Sequence, residues 1–86
     1  MAEVKLIYFA WLRERIGRGE EMIVLAPGIK TIGDLVSWLR TRGEGYASAF
    51  AQPDIVRAAV DRRHCRPDTP LAGAREIAFF PPMTGG

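Results

Sequence analysis

Apolar side chains fall on both parities along the first nine residues. Val4, Leu6 and Tyr8 would point to one face, and Ile7 and Phe9, with Lys5, to the other. That pattern predicts a mostly buried strand over Glu3–Phe9. Trp11–Ile16 reads as a short turn or helical piece, after which Gly17 and Gly19 let the chain reverse. Glu21–Leu25 reads as a second strand, stopped by Pro27-Gly28 and close enough in sequence to pair antiparallel with the first. The clearest element starts at Thr31, an N-cap with Asp34 as the acidic half of a capping box. Ile32, Leu35, Val36 and Leu39 then follow at helical spacing. Arg40 and Arg42 are expected in the last turn, with Gly43 as the C′ residue and Trp38 flanking the apolar stripe. A short helix is predicted over Tyr46–Ala51, broken by Pro53. Ile55–Val60 reads as a third strand, and Asp61–Pro70 as mostly turn with a brief strand near His64 and Cys65. Glu76–Phe80 is the last strand and leads directly into Pro81.

Two strands, a helix and further strands give an α+β order, with one main helix laid across a small mixed sheet. The first and last strands are both strongly apolar, and central positions beside one another would bury them best. This is the β-grasp arrangement of ubiquitin, here a domain over residues 1–80 with an extended tail at 81–86. Such a fold would leave the C-terminus free at one edge.

The composition supports one globular domain with a modest core. Of 86 residues, 48% are hydrophobic and 26% charged, near the globular average. A net charge of +2, with basic and acidic residues interleaved, creates no strong polyanion field, so no nucleic-acid partner is expected. A single cysteine excludes an internal disulfide and suits a reducing compartment. With neither a leader-like start nor a run able to cross a bilayer, no membrane partner is expected, and the expected location is cytoplasmic.

The tail carries the chemistry. Pro81 and Pro82 stiffen its base and lack N–H donors, so it tends not to fold back into a ladder. Met83, Thr84, Gly85 and Gly86 then thin to bare backbone ending in a carboxylate. Six residues at about 3.3 Å each reach roughly 20 Å, enough to enter a narrow active site. Other constellations carry less. His64 and Cys65 are adjacent in an extended segment and point apart, so they form no nucleophile–base pair. One Cys and one His do not make a typical zinc site. Arg15–Gly19 lacks the Lys-Ser/Thr of a phosphate-binding loop, so nucleotide chemistry must come from a partner. Arg62, Arg63 and Arg66 form a small basic cluster, read as a solvated loop or a docking patch for an acidic surface.

Tyr8-Phe9-Ala10-Trp11-Leu12-Arg13-Glu14 resembles the N-terminal signature of the small subunit of molybdopterin synthase. Glu76-Ile77-Ala78-Phe79-Phe80-Pro81-Pro82-Met83-Thr84-Gly85-Gly86 resembles its C-terminal signature, and Asp68-Thr69-Pro70-Leu71 fits the segment that precedes it. The likeness spans essentially the whole chain. Ala74-Arg75 replaces the usual Gly-Asp, with Gly73 next door to supply the bend, and Met83 replaces a small β-branched residue.

The resemblance implies a sulfur carrier with no complete active site of its own and no stably bound cofactor. A ubiquitin-activating-like adenylyltransferase would use ATP to adenylate the Gly86 carboxylate, turning a poor acyl donor into an acyl-adenylate. A sulfur donor protein would convert this to a thiocarboxylate. The large synthase subunit, partner in a heterotetramer, would then pass the sulfur to cyclic pyranopterin monophosphate in building molybdopterin. In that scheme Gly86 carries the reactive carbon, Gly85 gives slimness, and Pro81, Pro82, Met83 and Thr84 line the insertion channel. Of Phe79 and Phe80, one would enter the core and the other join a docking face, with Phe9 and Arg13 as further interface candidates. Three other readings share the tail: a ubiquitin-like modifier conjugated through Gly86 to target lysines, a sulfur carrier of thiamin biosynthesis, and a plain interaction domain with an inert tail. Only Lys5 and Lys30 are lysines, which disfavours chain formation, and the Phe-Phe-Pro-Pro lead-in favours the synthase.

Overall fold

The computed structural model describes residues 3–82. Strand β1 (Glu3–Tyr8) runs into helix α1 (Ala10–Ile16), and β2 (Glu20–Val24) returns beside β1. Helix α2 (Ile32–Leu39) and the short α3 (Glu44–Ala49) follow, then a single 3-10 turn (Pro53–Ile55), β3 (Arg57–Val60), β4 (Arg63–Cys65) and β5 (Glu76–Phe80). The strands form one sheet in the order β2-β1-β5-β3-β4. As anticipated, β1 and β5 are the central pair and run parallel, whereas β1–β2, β3–β4 and β3–β5 are antiparallel. The fold is an α+β ubiquitin-like β-grasp.

Register divides the residues between two faces. Val4, Leu6 and Tyr8 of β1 align with Ile23 of β2 and with Ile77 and Phe79 of β5, and all are buried under the helices. Ile32, Leu35, Val36 and Leu39 of α2 complete that core with Leu12 and Phe50. The Phe79 ring stacks on Tyr8 at 6.2 Å and meets Phe50 edge-on at 5.1 Å. Truncating such a ring in a closed core costs about 3–5 kcal/mol. Lys5 and Ile7 are only half-buried on the opposite parity, so β1 is sealed on one face rather than both.

The caps show why the elements stop where they do. The Thr31 hydroxyl accepts from the Asp34 N–H at 3.2 Å, and the Asp34 carboxylate accepts from the N–H groups of Thr31 and Lys30, completing the box. Gly17 closes α1 at φ +91, with its N–H donating to the Arg13 carbonyl. Gly73, also left-handed at φ +79, supplies the bend before β5. The β3–β4 hairpin turns on Asp61 and Arg62, both left-handed, and the Asp61 carboxylate accepts from the N–H groups of Arg75 and Glu76 at 3.0 Å each.

Three expectations change. Gly43 is not the C′ residue of α2. The helix ends at Leu39 with a right-handed Arg40, and Gly43 at φ +157 is instead the N-cap of α3. Arg40 and Arg42 therefore follow α2, because the residues after Leu39 tighten into turns donating to Val36, Trp38 and Leu39 carbonyls. The third strand starts at Arg57 rather than Ile55, since Pro53 at the head of the 3-10 turn holds that segment out of the ladder.

Candidate functional site

Strand β5 carries the chain out of the middle of the sheet. Its last ladder contacts place Phe79 opposite Tyr8 and Ala58, and Phe80 opposite Arg57. Parity then separates the two phenylalanines. Phe79 is wholly buried and serves the core, so it is not a partner contact, whereas Phe80 turns to the helix-free face and stays half-buried. There the His64 ring meets it edge-on at 5.4 Å. Pro81 and Pro82 continue from it, half-buried. Met83, Thr84, Gly85 and Gly86, expected to enter partner active sites, lie outside the described residues.

Phe9 extends β1 beside this point. Its N–H donates to the Phe79 carbonyl at 3.1 Å, and the residue is 48% exposed, the share that leaves it available for contact. Strand alternation carries the same face to Ile7 and Ala78, and across to Met22 and Val24 of β2, both largely exposed. The Lys5–Glu20 pair at 2.9 Å crosses it. The tail root thus adjoins an open face on which these apolar residues alternate with the charged Glu3, Lys5, Glu20 and Glu76. Met22 and Val24 were missed from sequence, although their parity is opposite to that of Glu21 and Ile23, which face inward. Arg13 is not drawn into this face. Its guanidinium lies against Gly19, where an added Cβ would come within 3.2 Å of Nε, at the start of β2.

His64 and Cys65 take opposite sides, as their adjacency implies. His64 faces Phe80, while the Cys65 thiol points to the helix side and donates to the Ala58 carbonyl at 3.4 Å. Burial pushes that thiol above its ordinary pKa, which keeps it protonated and a poor nucleophile. Among the described residues no group of three His, Cys, Asp or Glu could hold a metal ion, and no helix is long and apolar enough to cross a membrane.

The strongest electrostatic feature is Glu21, which the sequence reading treated as an ordinary strand residue. It sits opposite Leu6, on the core side, with a side chain only 7% exposed. One carboxylate oxygen accepts from the Tyr8 and Tyr46 hydroxyls at 2.7 and 2.6 Å, and the other from Arg42 and Arg18 at 3.0 and 3.3 Å. Burial pushes the carboxyl up, but donation by Tyr46, Tyr8 and Arg42 outweighs it and holds the group below its usual range. Burial, followed by the bond to Glu21, raises both tyrosines. Arg42 also lies over the Trp38 and Tyr46 rings, at 5.1 and 4.8 Å. This network joins β1, β2, α3 and the turn after α2. It ties together segments distant in sequence, and its work is to hold the fold.

A β-grasp domain with an open face and a Pro-Pro tail root agrees with the comparisons. Residues 6–86 match the ThiS family model. The chain belongs to the ThiS family. It is 31% identical over 83 residues to the molybdopterin synthase sulfur carrier subunit of Escherichia coli, covering 96% of this chain and 99% of that one. Among solved structures it is similar to a putative molybdopterin converting factor subunit 1 from Pyrococcus furiosus, with TM-score 0.72, 26% identity, and coverage of 96% of this chain and 100% of the other. It is also similar to the small archaeal modifier protein 1 of Methanosarcina acetivorans, with TM-score 0.67, 27% identity, and coverage of 100% and 98%. The names of these similar proteins thus describe both sulfur carriage and protein modification.

Proposed function

We propose that this protein is the sulfur carrier subunit of a molybdopterin synthase. The observation that carries the reading is the near end-to-end relationship to the E. coli carrier, with β5 delivering Phe80-Pro81-Pro82 from the centre of the sheet toward Gly86. An adenylyltransferase partner uses ATP to activate the Gly86 carboxylate, with release of pyrophosphate. A sulfur donor then displaces AMP, leaving a thiocarboxylate. Docked on the large subunit, the tail passes its sulfur to cyclic pyranopterin monophosphate, and water restores the carboxylate. The open face of Phe9, Ile7, Met22 and Phe80 suits docking, because it offers apolar area around the tail root, bordered by the charged Glu3, Lys5, Glu20 and Glu76. Pro81 and Pro82 lack N–H donors for a sheet ladder, and Gly85 and Gly86, having no side chains, leave room for close approach in both partners' sites.

A second reading, conjugation of Gly86 to target lysines, is favoured by the likeness to small archaeal modifier protein 1. Intact-mass spectrometry separates the two. The chain is incubated with ATP, a sulfide source and the host's activating enzyme. A gain equal to exchange of one oxygen for sulfur, lost on deleting Gly86 and reversed by the large subunit with its pterin precursor, is the expected result. Covalent ladders on lysines of other proteins, without that exchange, would instead establish the modifier role.

A further inference from the structure

Beside the core, α2 does not close onto the β3–β4 side of the sheet. A groove of about 370 Å³ remains there, within the range of ligand-binding clefts, roughly 300–1,000 Å³. It exists because the side chains that could fill it are small: Gly33 and Ser37 on α2, Ala58 on β3 and Cys65 on β4. Its floor is apolar, formed by Ile32 and Val36 of the helix, Val56, and the buried edge of Phe79. Its rim is cationic. Arg40 follows α2, Arg57 opens β3 and Arg66 follows β4, against one carboxylate, Asp54. Among the described residues, the ion pairs engage Lys5, Arg18 and Arg42, and none of these three arginines. Among the described residues Arg57 donates to the Asp54 backbone carbonyl and to no carboxylate.

We infer that this groove is a docking site for an acidic segment of a partner protein, one presenting aliphatic side chains flanked by carboxylates. The apolar floor takes the aliphatic anchor, and the three guanidiniums take the flanking carboxylates by charge-assisted hydrogen bonds. Charge complementarity selects this occupant over a basic peptide. Nucleic acid fits less well, because the arginines surround an apolar slot instead of lining a continuous track, and the aromatic ring that lines it, Phe79, is wholly buried and offers no face for stacking. The groove opens on the helix side, whereas Phe80 and the tail root belong to the other face. A partner held here therefore leaves the tail free for a second protein, and the inference stands whether the carrier or the modifier reading holds.

The test is a two-dimensional NMR titration of the full chain with acetyl-Glu-Asp-Leu-Leu-Asp-Glu-amide, and with the same peptide bearing lysines in place of its acids. Shifts are expected at the amides of Val36, Ser37, Arg40, Ala58 and Arg66 with the acidic peptide alone, weakening as salt is raised. The Arg40→Glu/Arg66→Glu double variant should lose at least about tenfold in affinity. Ser37→Trp, which fills the slot while keeping the arginines, should block it as well, and both variants should form the Gly86 thiocarboxylate at the unmodified rate. Four results overturn the inference: no shifts, shifts centred on Met22 and Phe80, equal response to the lysine peptide, or concentration-dependent shifts of the groove amides without peptide, which would assign the face to a second copy of the chain.

Discussion

Phe79 and Phe80 are neighbours in one strand, yet they belong to different proteins in a physical sense. Phe79 lies on the helix-covered face, locked between Tyr8 and Phe50. Phe80 lies on the open face, touched by His64 and half in water. Glu21 and Met22 repeat the contrast in β2: the charged residue is buried and fully bonded, while the apolar one is mostly exposed. The covered face thus stores stability, and even its carboxylate serves that end. The open face leaves apolar surface exposed, which the carrier role proposed above would use for docking.

Phe79→Ala should break the covered face outright, costing about 3–5 kcal/mol, while Phe80→Ala should cost less than about 1 kcal/mol. Denaturant unfolding measures both. In sulfur transfer with the folded proteins the ranking should invert. On the proposed carrier role, Phe80→Ala should weaken docking to the large synthase subunit by about tenfold or more as an interface anchor. Equal stability losses would mean that the two faces do not differ as described.

Glu21→Ala comes next, at about 3 kcal/mol, because it strands two phenols and two guanidiniums that share its oxygens. At roughly 4–8 °C per kcal/mol for a domain of this size, a melting scan resolves it. The same network predicts both pH limbs. Glu21 has a folded pKa below its ordinary value near 4.5, so its contribution is complete above that pH and disappears as pH falls through the folded value. Tyr8 titrates above its ordinary 10.0, so its contribution is complete below pH 10 and lost as pH rises beyond it. Glu21→Gln should flatten the acid limb of stability against pH, and Tyr8→Phe the alkaline one.

Gly45 tests how tightly the helices are pressed together. A Cβ there would stand 2.5 Å from the Arg15 carbonyl oxygen of α1, so Gly45→Ala should cost about 1–3 kcal/mol through displacement of α3. The smallest effect belongs to the hairpin turn. Arg62 adopts φ +70 with an exposed side chain, and Arg62→Gly should raise stability by about 0.5–1 kcal/mol, with tail chemistry unaffected. A loss of stability there would reveal a contact of the Arg62 side chain that the structure lacks.

Much of this was legible in the chain. Thr31 and Asp34 announced the capping box, because a cap depends on residues three apart and on nothing distant. The apolar runs at both ends required central strands, since only there are both edges paired, and Gly73 supplied the bend that its missing neighbour would have given. The tail motif and the resemblance to the small subunit of molybdopterin synthase needed no coordinates. What remained hidden depends on register and on distant partners. Gly43 reads equally well as the end of one helix or the start of another until α3 is in place. Parity showed that Phe79 and Phe80 part company, but only the pairing of Phe79 with Tyr8 assigned the core to one of them. Glu21 became a buried anchor only because Tyr46 and Arg42, far along the chain, were brought to it. Local sequence fixes what a residue can bond within a turn or two; the sheet and its covering helices choose which side is sealed from water, and so which charges and rings must find partners there.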